Sequence, residues 1–219
     1  MTGKKIAFVG APGTDISILQ MRAIDMLDGV PKEKIKNNLP SSIYNKIDDS
    51  YLDQFKNSFE FDLSTVFARR VNVLSLNKDL YIVSDEWALN ELAINMVRMK
   101  SIQEKINSSN QILGSDGNPF FTEDHGNLII IQSVFQVLIN QVAIEKDFWD
   151  FLYYVPITDE SPDILNEEGI LPKQKLYQKE IDLAIRNLIG QLKLEVVMLP
   201  SVTEEAFKKI EAESIKWRQ

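Results

Sequence analysis

The sequence predicts an α/β protein whose parallel sheet is covered by helices on both faces. Three observations carry that expectation. Four short apolar runs, Lys5–Val9, Leu80–Val83, Phe151–Val155 and Leu194–Leu199, have the length and composition of buried parallel strands. The stretches between them show helical periodicity and are long enough for crossovers. The chain of 219 residues is 44% hydrophobic and 26% charged with nine Gly and eight Pro, which excludes a collagen-like or low-complexity protein. No internal repeat or Gly/Ser linker divides it, so residues 1–219 are expected as one domain.

The elements follow in order. Lys5–Val9 stops at Gly10-Ala11-Pro12-Gly13, and Ile18, Leu19, Ala23, Ile24 and Leu27 then recur at helical spacing from Asp15 to Leu27. Pro31–Asp53 is polar and reads as loops with room for one short strand. A long helix is expected over the second half of Leu52–Leu76. After the Leu80–Val83 strand, a helix is expected from Glu86 to Ile106. Residues 108–127 read as an excursion loop, with Asp116-Gly117-Asn118 as a turn. Leu128–Ile144 is apolar apart from Gln132, Ser133, Gln136, Asn140 and Gln141, and is expected as a largely buried core helix. A second, acidic excursion spans 158–172. Helices are expected over Leu176–Leu192 and Thr203–Trp217.

Composition removes several classes of chemistry. There is no cysteine, so a disulfide framework, a thiolate metal site and a Cys nucleophile are excluded. His125 is the only histidine, and it is expected in a loop. The net charge of −8 argues against a broad nucleic-acid surface. No run approaches the ~18 apolar residues of a membrane span. The opening MTGKKIAFVG lacks the apolar region and cleavage site of a signal peptide, so a cytoplasmic protein is expected.

The first loop carries the most information. Gly10-Ala11-Pro12-Gly13-Thr14-Asp15-Ile16-Ser17 lies where a phosphate-binding GxxxxGK[ST] loop would sit. In such a loop, backbone amides and a helix N-terminus cradle phosphates, Lys offsets their charge and the hydroxyl ligates magnesium. Gly10 fills the first position and Ser17 the last. Asp15 replaces the second Gly, and Ile16 replaces the Lys. A unit-charge pair at ~4 Å and an effective dielectric near 20 is worth ~4 kcal/mol before screening. Losing the cation and adding Asp15 should each weaken triphosphate binding. A tight turn with Asp15 or Thr14 capping the helix accounts for the same residues without a ligand. Ser84-Asp85, at the end of the second apolar run, resembles the strand end whose Asp serves magnesium. Asp85-Glu86 capping the following helix is the competing explanation.

Taken together, the chain resembles the P-loop kinase group of the P-loop NTPases, close to nucleotide and nucleoside kinases and related small ATPases of bacteria and phages. The likeness rests on the GAPGT loop, the LYIVSD and FLYYVP strands, the YQKEID helix, and a last strand with its closing helix. It implies a parallel five-stranded sheet sandwiched by helices, with the first strand beside the Asp85 strand. It implies a vestigial phosphate loop at Gly10, Gly13, Thr14 and Ser17, and magnesium at Ser17 and Asp85 only if a magnesium nucleotide binds. Asp85 and Arg70 are the candidate catalytic groups. Tyr177 and Asp182 match a recurrent pattern of the group. Localisation would be the host cytoplasm if the protein is phage-encoded.

Three departures concern chemistry: the loop has no Lys, it carries Asp15, and residues 158–172 hold five acids and no Lys or Arg where the group has arginines. Phosphoryl transfer depends on cations that neutralise developing charge. The expectation is therefore a degenerate, non-catalytic member acting as a binding, scaffold or regulatory subunit through a protein partner, with nucleotide binding weak or absent. Phe120-Phe121 and the acidic 158–172 segment are the expected contact surfaces. The alternative is a working kinase that uses magnesium with ATP or GTP and takes its cation from Lys173, Lys175 or Arg70. Arg69-Arg70 fit a solvated helix face equally well, and Trp217 fits either the core or an interface.

Overall fold

The structure is a computed structural model, and it describes residues 3–32, 35–37, 79–85, 87–109, 123–158, 172–201 and 203–217. It is an α/β fold with a parallel sheet flanked by helices. The strands are β1 (Lys5–Gly10), β2 (Ile35–Asn37), β3 (Tyr81–Ser84), β4 (Phe151–Val155) and β5 (Val197–Met198). Their order is β2-β3-β1-β4-β5, and every neighbouring pair is parallel. β1, β3 and β4 form the body of the sheet, while β2 and β5 are short ribbons at its edges. The helices are α1 (Ile16–Asp25), α2 (Ala88–Ser109), α3 (Glu123–Glu145), α4 (Pro172–Gln191) and α5 (Thr203–Trp217).

The period-two alternation of β1 divides the core. Ala7 and Val9 face one layer with Ile82, Leu152 and Tyr154, beneath residues of α2, α3 and α4. Ile6 and Phe8 face the other with Val83, Tyr153 and Val155, beneath α1 and α5. All six residues of β1 are buried, so this strand reads as a continuous apolar run rather than an alternating one. Trp217 belongs to the core: it is fully buried and its Nε1 donates to the Tyr153 hydroxyl at 3.0 Å. Phe8 stacks on Tyr153 with ring centroids 5.3 Å apart.

Several sequence expectations need correction. The last strand is Val197–Met198, shorter than the apolar run Leu194–Leu199. The preceding residues close α4: Lys193 takes a positive φ of 51° and donates its amide to Gly190 O, while Leu194 N donates to Ile189 O. That pair of bonds is a Schellman motif, and it uses residues the strand would have taken. α3 begins at Glu123, so 123–127 are helical and His125 lies in a helix rather than a loop. Two acidic residues thereby fall in the first turn, where the helix dipole favours them. α3 is not largely buried: Ile129, Ile130 and Ile144 are exposed, and only its inner face packs on α2. The expected helix within 52–76 and most of both excursions lie outside the described residues.

Burial pushes the hydroxyls of both Tyr153 and Tyr154 well above their ordinary pKa, and neighbouring Asp182 adds to the shift at Tyr154. Both are neutral donors in the folded state, so the unfolded chain releases these protons first. Their contribution to stability is complete below pH ~10 and is lost as pH rises further, by up to about 1.4 kcal/mol per pH unit for each tyrosine. Urea titrations from pH 8 to 11.5 should show a plateau and then a fall, shallower in Tyr153→Phe or Tyr154→Phe when each is compared with its own value at pH 8.

Candidate functional site

The candidate site lies at the carboxyl ends of β1, β3 and β4, where ligands bind in open parallel sheets. β1 runs out at Gly10, and the next four residues make a tight turn. Thr14 N donates to Ala11 O at 3.1 Å, and the Thr14 hydroxyl donates to the same carbonyl at 2.8 Å. Pro12 and Gly13 hold the two central positions, and Gly13 has φ 86°, the pattern of a type II turn. Gly10 is required by close approach. A Cβ there would lie 2.5 Å from Thr14 Oγ1, 3.0 Å from the Val155 carbonyl and 3.2 Å from Ile16 Cγ2.

The structure brings Ser17 and Asp85 together. The Ser17 hydroxyl donates to Asp85 Oδ2 at 2.6 Å, joining the first turn of α1 to the end of β3 across 68 residues of sequence. Neither competing cap is formed. Thr14 is occupied with Ala11, and Asp15, at the N-cap of α1, makes no side-chain capping bond. The Asp15 carboxylate nonetheless sits at the positive end of the helix, where an anion would bind. Ile16 does not replace a Lys functionally: it is half-buried and packs against the core beneath α1. Asp85 does not cap α2 either. The amide of Ala88 donates to Glu145 Oε2 at 3.2 Å, and Glu145, fully buried, also accepts from Gln141 at 2.7 Å.

α4 supplies the wall behind the loop. Gln178, Asp182 and Arg186 recur every four residues and so share one face. Gln178 Nε2 donates to Pro12 O at 2.9 Å. Asp182, buried, accepts from the Tyr154 hydroxyl at 2.6 Å and from Ile157 N at 3.1 Å, and pairs with Arg186 Nη2 at 2.8 Å. Arg186 Nε also donates to the Tyr154 hydroxyl at 2.8 Å. Asp182, matched to a family pattern, thus holds the exit of β4 in place, and Tyr177 packs on the core beside it. Gln178, Arg186 and Glu145 were not singled out from sequence. The four-residue spacing on α4 was legible, whereas Glu145 acts through a contact 57 residues away with no local signature.

The basic residues seen clearly are occupied with the fold. Arg22 stacks over the Phe207 ring at 5.7 Å, and Arg186 is held by Asp182. Lys5, at the other end of β1, donates to the carbonyls of Gly3 and Leu80, and burial lowers its pKa against the raising effect of Asp150 and Asp79. Arg69, Arg70, Phe120 and Phe121 lie outside the described residues. So do the side chains of Lys173 and Lys175, whose backbone is in the first turn of α4. Among the described residues no group of three or more His, Asp or Glu is placed to hold a metal ion. Ser17 and Asp85 offer two oxygens, and magnesium bound by so few protein groups ordinarily relies on substrate phosphates for the rest. No protein-family model matches the chain, and no curated protein matches it in sequence.

Gly10→Ala should destabilise the fold by about 1–3 kcal/mol, because two of the three atoms it meets belong to the turn and the β4 backbone. Gly190→Ala, where a Cβ meets nothing within 4 Å, should stabilise α4 by up to about 1 kcal/mol. Urea denaturation of the two variants checks the contrast.

Proposed function

We propose that this chain is a P-loop kinase-like protein that has lost triphosphate chemistry and acts as a non-catalytic binding or scaffold subunit in the cytoplasm. The observation that carries the reading is the Ser17–Asp85 hydrogen bond at 2.6 Å, combined with what stands between its partners in the sequence. The magnesium-serving pair is assembled at adjacent strand ends. The cation that would balance a triphosphate is replaced by Ile16, turned toward the core, and the helix N-terminus is supplied with an internal carboxylate by Asp15. A site with its frame retained and its charge reversed is what a degenerate phosphate loop would leave.

The test is calorimetry with magnesium ATP and magnesium GTP. Neither nucleotide should give a dissociation constant at or below ~10 μM, about −7 kcal/mol. Affinity tighter than that, or magnesium-dependent phosphoryl transfer to any nucleoside or nucleotide, would return the protein to the catalytic alternative.

The reversion experiment asks about the frame itself. Asp15→Gly with Ile16→Lys removes the like charge and restores the cation, each worth ~4 kcal/mol at most before screening. The double variant should gain measurable triphosphate affinity. If it folds and still binds nothing, the turn at Ala11–Thr14 is not a phosphate cradle and the kinase-like ancestry loses its main support.

A further inference from the structure

The inference concerns α3 and uses no residue of the loop, so it stands or falls apart from the reading above. Gly126–Ile144 is a run of nineteen residues without a single charged side chain, in a chain that is 26% charged. At that average about five charges would be expected. Core helices lack charge because they are buried, but α3 is buried on one face only. Asn127, Ile131, Val134, Leu138, Gln141, Val142 and Glu145 face inward, and the opposite side is open to solvent.

The open side is ordered. Ile129, Ser133, Gln136, Asn140 and Ala143 are all exposed, at successive steps of four, three, four and three residues. Alternating steps of three and four keep a stripe straight along a helix that winds around a second helix. Ile130 and Ile144 flank the stripe, and Ile129 is 57% exposed.

We propose that this face is a homotypic interface, against which a second copy of the chain packs its own α3 antiparallel across a two-fold axis through Gln136. Three features select that occupant. Two copies, each of net charge −8, can meet closely only where neither presents a charge. A nucleic acid or a charged peptide would instead require complementary charges, and the stripe has none. A membrane would place Gln132, Ser133, Gln136 and Asn140 in hydrocarbon, and the face lacks the flanking cations of interfacial helices.

Self-pairing, by contrast, uses each residue. A Gln amide donates and accepts, so Gln136 can pair with its own copy on the axis. Ile129 and Ala143 lie one heptad either side of Gln136. The antiparallel arrangement therefore sets the bulky Ile129 of one copy against the small Ala143 of the other, twice. The contact is one helix wide, at the low end of specific interfaces, so micromolar association is expected.

The chain has no cysteine, which makes a direct test available. Gln136→Cys introduces a single exposed thiol on the proposed axis, and Met198→Cys, at a position 56% exposed on β5, is the control. At ~10 μM under mild oxidation, Gln136→Cys should form a disulfide-linked dimer at least about tenfold faster than the control, since the axis holds the two thiols together. Sedimentation of the unmodified chain should show mass rising from 25.1 kDa toward twice that value with concentration. Gln136→Glu, which sets like charges face to face, should weaken dimerisation by about tenfold or more with its circular dichroism unchanged. A chain that remains monomeric at ~100 μM overturns the proposal. So does equal cross-linking of the two cysteine variants, or recruitment to neutral phosphatidylcholine vesicles that Gln136→Glu abolishes.

Discussion

Asp182 is the constraint on which the site depends. A carboxylate this deeply buried costs several kcal/mol unless its oxygens are satisfied. Its donors come from three places: the Tyr154 hydroxyl on β4, the Ile157 amide just beyond β4, and Arg186 one turn along α4. Satisfying all three leaves α4 one position against the end of β4. Gln178, one turn earlier on the same face, then meets the Pro12 carbonyl and fixes the outer part of the first loop. The loop's place above the sheet therefore follows from a hydrogen-bond network that involves no ligand.

The form of the loop is likewise independent of charge. Gly10 is dictated by the nearby Val155 carbonyl and the Thr14 hydroxyl, and Gly13 by a positive φ at the third position of the turn. A chain can keep both glycines, and the Ser17–Asp85 contact, for packing reasons alone. This explains how the frame of such a loop and its affinity for phosphate can separate. The frame is set by sterics at Gly10 and Gly13. The affinity would depend on positions 15 and 16, which point to the helix end and to the core and can change at little cost to stability.

Much of the fold was legible because parallel strands buried on both faces announce themselves as continuous apolar runs. Lys5–Val9, Leu80–Val83 and Phe151–Val155 have nothing polar to confuse them. The three-residue β2 has no such signal, being too short for periodicity and set in a polar stretch. Leu194–Leu199 misled in the other direction. Its apolar residues suit a strand, but the αL conformation at Lys193 and the helix-closing bond of Leu194 are tertiary outcomes that hydrophobicity does not encode. At the site, Ser17 and Asp85 were legible from motif spacing, whereas Gln178 and Glu145 work through partners 166 and 57 residues distant.

α3 shows why an uncharged helix is ambiguous in sequence. Absence of charge marks surface that is kept from water, and it does not say whether the same chain or another does the covering. Its polar residues decide the matter only once the structure divides them between faces. Gln141 turns inward and donates to Glu145, which in turn receives the first amide of α2. Gln132, Ser133, Gln136 and Asn140 turn outward. An outward face meant only for water has no reason to prefer amides and hydroxyls over Lys or Glu. A face that is intermittently buried does, because desolvating an amide that finds a partner costs far less than desolvating a charge.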